Sequence, residues 1–130
     1  MRTIKFRGKD SFERRWIIGA LAPNGKHPCI AEFGKCFELT EVDYESVGQF
    51  TGQLDKYGKD IYEGDIVKYY DEIEDELVAA PVIFHESSCS FCCARPGYDI
   101  VGLGAYWDFE IVGNIHDNPE LLKGGKHGNQ

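Results

Sequence analysis

The sequence contains no apolar run approaching the ~20 residues that span a bilayer, and its first residues lack the apolar core of a signal peptide. Neither membrane anchoring nor export is expected, and the expected location is the cytoplasm. Positive charge is scarce. Fourteen Lys and Arg face 22 Asp and Glu, a net charge of −8, which repels phosphate backbones at long range and argues against a general nucleic-acid-binding role. Cysteine is present in an odd number, five, where a disulfide framework would pair every one. Reduced thiols are therefore expected, as suits a cytoplasmic protein. There is no internal repeat and no domain-length linker, so residues 1–122 read as one domain. Residues 123–130, KGGKHGNQ, have nothing to bury and read as a mobile tail.

The stretch around which the rest is organised runs from Val47 to Val67, VGQFTGQLDKYGKDIYEGDIV. Three turn signals lie within it: Thr51-Gly52, Asp55-Lys56-Tyr57-Gly58 and Glu63-Gly64-Asp65. Gly52, Gly58, Gly64 and Asp65 are its structural turn residues, because glycine tolerates positive φ and aspartate hydrogen-bonds its own backbone. Short apolar fragments between the turns read as strands. No nucleophile, base or metal cluster sits there.

Upstream, Arg2 to Arg7 alternates polar and apolar residues and predicts a strand. Gly8-Lys9-Asp10-Ser11 predicts its turn, and Arg14 to Leu21 the return. Cys29–Phe33 and Cys36–Leu39 predict a second hairpin around Gly34-Lys35. Thr40–Ser46 has no period and predicts an irregular or single-turn connection. Downstream, Gly64-Asp65-Ile66-Val67 enters a strand in the manner of small SH3-like barrels. The acidic run Asp71–Glu76 fits a charged loop, with a short helix as the alternative. Val82–His85 and Ser90–Arg95 predict a hairpin turning at Glu86-Ser87-Ser88. Glu110–Ile115 predicts a last strand, and Asn118-Pro119-Glu120-Leu121-Leu122 one helical turn capped by Asn118. The fold class expected is mostly β, with short coiled sheets, a small SH3-like barrel portion and little helix.

Three blocks carry a family resemblance: IKFRGKD near the start, VGQFTGQLDKYGKDIYEGDIV in the middle and VGNIHDNPELL near the end. Together they resemble the YopX family, whose members are encoded mostly by bacteriophages and prophages. The likeness runs from Ile4 to about Leu122, whereas residues 22–46 and 71–108 share only the general character. The resemblance implies a mostly β fold, a tendency to homo-oligomerise and the cytoplasm of a bacterial host. It implies no enzymatic activity and no catalytic residues.

Several constellations were weighed for chemistry. His85, Cys89, Cys92 and Cys93 include one Cys-x-x-Cys spacing, which lets two thiolates share a zinc. A second pair is missing, since Cys29 and Cys36 are too widely spaced, and in a strand Cys92 and Cys93 point to opposite faces. Core or edge thiols are the stronger reading. Glu63 and Asp65 are a conceivable acid–base pair, outweighed by turn formation. His116 before Asp117 reads as a polar residue entering a cap. Trp16, Tyr106, Trp107 and Phe109 would stack bases, or, more simply, fill a core or an interface. The basic N-terminal residues Arg2, Lys5, Arg7, Lys9, Arg14 and Arg15 fit a charged edge strand, with Ile4, Phe6 and Ile17 facing inward. Ile100–Trp107 carries no charge and should be buried in the core or against another copy, making Tyr106, Trp107 and Phe109 the candidate interface. The function expected is non-enzymatic, without metal or cofactor: binding of itself and of a phage or host protein. A nucleic-acid-associated module and a zinc-containing domain are the alternatives.

Overall fold

The structure, a computed structural model, describes residues 2–36, 38–104 and 108–122. The sequence reads as one domain over 1–122, and the chain forms two compact units, Met1–Gly52 and Gln53–Gln130. Strands dominate both. Helix among the described residues is limited to two 3-10 turns, Tyr44–Ser46 and Pro119–Leu122.

The first unit is an antiparallel sheet of β1 (Phe6–Lys9), β2 (Trp16–Ala22), β3 (Cys29–Glu32), β4 (Leu39–Glu41) and β5 (Gly48–Leu54), in the order β4-β3-β2-β1-β5. Ile17, Ile30 and Val42 are its fully buried centre, with Phe6, Leu21 and Val47 packed around them. Period-two alternation places these residues on one face. Gly8 leaves room for that centre, because a Cβ there would lie 2.8 Å from Val42 Cγ2.

The first strand differs from expectation. Pairing starts at Phe6 and runs through Gly8 and Lys9. The turn falls at 11–13, where Asp10 Oδ1 accepts the N–H groups of Phe12 and Glu13. Those two bonds, Glu13's first, hold the Asp10 carboxyl below its ordinary range. Nor is β1 an edge, because β5 pairs along its other side. Ile4 is consequently exposed rather than inward-facing, while Phe6 packs on the core. Gly52 was expected in a turn, yet β5 passes through it at a φ of 89°. Thr40 and Glu41, read as irregular, pair with Ile30 and Cys29. The single turn expected before Val47 is present as Tyr44–Ser46.

The second unit contains β6 (Asp60–Tyr62), β7 (Asp65–Asp71), β8 (Glu76–His85), β9 (Ser90–Cys93), β10 (Val101–Gly102) and β11 (Glu110–Asn114). Its antiparallel sheet has the order β10-β9-β8-β7-β11. Ile61, Val67, Tyr69, Val78, Ala80, Val82, Cys93, Leu103 and Phe109 form its core. Tyr69 and Phe109 meet edge to face, with ring centroids 5.0 Å apart. No closed barrel forms among the described residues, since the sheet ends at β10 and β11.

The acidic run forms a turn over 72–75 rather than a helix, between Asp71 of β7 and Glu76 of β8: Asp71 Oδ1 accepts from the N–H groups of Ile73 and Glu74, and Asp75 turns the chain at a φ of 57°. Pro81 does not break β8. The strand pairs with β7 up to Pro81 and with β9 from Val82 onward. The proline thus stands where pairing changes partners, and its missing N–H is tolerated there. Pro119–Leu122 is the expected helical turn, but the Asn118 side chain turns away from it to accept from Asn114 N–H.

Candidate functional site

Alternation along β8 buries Val78, Ala80 and Val82 and turns Leu77, Ala79 and Pro81 outward. Lys68 of β7 stands opposite Ala79. The segment after β9 (Ala94, Arg95, Pro96 and Tyr98) and the turn residues Glu120, Leu121 and Leu122 wall in this outward face. The result is a groove of about 950 Å³ within the second unit. Leu77 is 65% exposed, and Leu121 and Leu122 are 37% and 38% exposed. The groove thus leaves several apolar side chains open to solvent.

Arg95 holds one wall. Its Nη2 lies 3.1 Å from Asp71 Oδ2 and its Nη1 3.4 Å from Glu76 Oε2. The guanidinium also stacks 3.7 Å from the centroid of the Tyr98 ring. All three charged side chains are at most 16% exposed, so the pairing is shielded from solvent far more than a surface ion pair. Asp71 therefore uses one oxygen to shape its own hairpin turn and the other to fasten a segment 24 residues away.

The first unit has an open cleft of about 890 Å³ lined by Phe12, His27, Glu41, Asp43, Tyr44 and neighbouring residues. Two of its carboxylates are matched internally. His27 Nδ1 lies 3.1 Å from Glu41 Oε2, and Asp43 accepts from Arg14 and Ser11. The Arg14 bond is the main reason the Asp43 carboxyl lies below its ordinary range.

The residues singled out in the sequence fare differently. Gly58 and Gly64 occupy positive-φ turns, at 84° and 95°. Asp65 is buried, and its Oδ2 accepts from Tyr62 N–H at 2.7 Å, while Glu63 lies in the turn between them. His85, Cys89 and Cys92 are not brought together. His85 Nδ1 sits 2.8 Å from Ser88 Oγ, Cys89 Sγ lies against Glu86 O, and Cys92 is buried. Burial pushes the Cys92 thiol up, and that of Cys93, a core residue, up to about 12, which leaves both protonated at neutral pH. Cys29, Cys36 and Cys89 are free thiols as well. Among the described residues no three His, Cys, Asp or Glu side chains converge as a metal site would require.

The aromatics do not form one platform. Phe109 is 3% exposed and belongs to the core. Tyr106 and Trp107 lie outside the described residues, as does the tail 123–130. Trp16 has the Arg7 guanidinium 4.7 Å and the Lys9 ammonium 5.5 Å from its ring centroid, and Lys5 stands 4.8 Å over Phe50. Part of the N-terminal basic cluster is thus packed on aromatic faces rather than lining an edge.

What sequence reading missed is the groove. Leu77, Ala79 and Pro81 carry a faint alternation, masked by the proline. Nothing local ties Arg95 to Asp71.

No helix among the described residues is long and apolar enough to cross a membrane. The solved structure of protein EF1440 from Enterococcus faecalis is similar at a TM-score of 0.56 and 23% identity, over 94% of this chain and 99% of that one. At that identity the likeness is one of fold. No curated protein matches. Residues 5–123 match the family described as YopX protein, which takes in all three sequence blocks from Lys5 onward. The chain belongs to the YopX family.

Proposed function

We propose that the chain is a phage- or prophage-encoded accessory protein without catalytic activity, acting in the host cytoplasm by protein–protein binding as a homo-oligomer. The observation that carries this reading is the groove of the second unit. It is large and mainly apolar, and of the charged residues that line it Arg95 and Glu76 are paired with each other, Arg95 also with Asp71. Such a site offers area and shape rather than a poised acid, base or nucleophile. Self-association has separate support. Strand register puts Ile18, Phe33 and Leu39 on one outward face of the first unit, 41%, 56% and 62% exposed. A self-complementary patch covered by a second copy is the usual remedy for such a face.

The test is affinity capture of the tagged chain from infected or lysogenic cells. A protein retained in stoichiometric amount is the expected result, and recovery of the tagged chain alone would contradict the reading.

One observation favours a second reading, contact with nucleic acid: cations and aromatics share the outward side of β1 and β2 at Arg7, Lys9 and Trp16. The net charge of −8 opposes it. Fluorescence anisotropy with labelled single-stranded DNA at low salt separates the two, and tight, salt-sensitive binding lost in Trp16→Ala would favour the second.

A further inference from the structure

Charge is divided unevenly between the two units. Over 1–52 there are eight Lys and Arg against seven Asp and Glu, and over 53–130 six against fifteen. The first unit is therefore close to neutral, at +1, and the second carries −9. Part of that negative charge lies on the groove or on segments continuous with its lining. Glu120 lines one wall, while Glu72, Glu74 and Asp75 occupy the turn that leads into Glu76, and Asp99 follows Tyr98, both of which line it. On the other side of the ledger Lys68 lines the groove, and the charge of Arg95 is neutralised by its two carboxylates.

From this we infer that the groove takes an extended segment of a partner protein with an apolar centre flanked by lysine or arginine. The inference rests on the binding reading above and supplies the chemistry of the partner. The floor, Leu77, Ala79, Pro81 and Leu121, gains from apolar contact. The acidic rim draws cations and repels phosphates and acidic peptides. At about 950 Å³ the groove has room for several consecutive side chains. The residues 123–130, KGGKHGNQ, are basic but contain no apolar side chain, so they lack the apolar centre the inference requires.

Two labelled peptides with a shared Leu-Val-Leu-Val centre, one flanked by lysine pairs and one by glutamate pairs, test this by fluorescence anisotropy on the full chain. The lysine-flanked peptide should bind about tenfold tighter or better in 10 mM salt. The gap should narrow at 150 mM, where the screening length falls from ~30 to ~8 Å. Replacing Glu74→Lys and Glu120→Lys together should erase or reverse the preference. Ala79→Trp, on the outward face of β8, should fill the groove and abolish binding of both peptides without changing the melting temperature. Equal affinity for the two peptides would overturn the charge preference while leaving protein binding intact. Binding unaffected by Ala79→Trp would overturn the location. If neither peptide binds and Ala79→Trp instead lowers the mass in solution, the groove is filled by a second copy and the inference is overturned.

Discussion

Asp55 ties its own turn to β11 through one carboxylate. Its Oδ1 accepts the N–H groups of Tyr57 and Lys59, and its Oδ2 that of Ile111, 56 residues along. Burial alone pushes this carboxyl up, but the bonds from Lys59, Ile111 and Tyr57, with the Lys59 charge, outweigh burial and leave it below its ordinary range. Asp55→Ala leaves three part-buried N–H groups without their charged acceptor and should cost about 1–3 kcal/mol at neutral pH by urea denaturation. The sign with pH follows from the lowered value. The contribution is full above the ordinary carboxylate range near about pH 4 and is lost as pH falls through the folded value. The difference between wild type and variant should therefore shrink in acid, and a difference that grows would contradict the role. Gly64 is a second such point. At a φ of 95° it donates to Val82 O and accepts from Ile115 N–H. Gly64→Val should cost more than about 1 kcal/mol, because a β-branched residue adopts that conformation only under strain. An unchanged melting temperature would show the turn to be tolerant. Gly64 was legible in the sequence, since its turn chemistry is local, and so was the short-range part of Asp55. The reach to Ile111 was not, because it depends on where a distant strand returns.

Elements were legible to the degree that their cause was local. The hairpin of β8 with β9 was foreshadowed by Glu86-Ser87-Ser88, and the turn between β7 and β8, though not their pairing, by the acidic run. The assignment of β1 as an edge was wrong for a non-local reason, since the strand that covers it, β5, starts 39 residues after β1 ends. Pro81 fits inside β8 for a similarly non-local reason: its cost vanishes where β8 changes partners, a circumstance set by both neighbouring strands. The outward side chains of the groove therefore stayed hidden although each residue was in view. Close approach between elements gives a test at this scale. A Cβ on Gly19 would lie 1.9 Å from Ala31 O of the neighbouring strand, so Gly19→Ala must push β2 and β3 apart. A loss of about 1–3 kcal/mol is expected, in line with overpacked cores. An unperturbed thermal transition would mean that the sheet yields there freely.

At the scale of the whole molecule, family and fold class were legible, the first in three ordered blocks and the second in alternation and turn chemistry. Segments that share only general character with the family hold most of the groove, including Leu77, Ala79, Pro81, Arg95 and Tyr98. A sequence block can reveal ancestry without touching the surface through which a protein works. Self-association is checked by light scattering at micromolar concentration. The expected mass is a multiple of 14.7 kDa, reduced by Leu39→Glu on the outward face of the first unit. A mass of one chain would mean that Ile18, Phe33 and Leu39 are simply tolerated exposure. The central claim, action through the groove of the second unit, is tested most directly by comparing capture from infected or lysogenic cells between the wild-type chain and Ala79→Trp at equal loading. The account predicts that the partner held by the wild type is lost from the variant while the melting temperature is unchanged. A partner retained equally by both would contradict it.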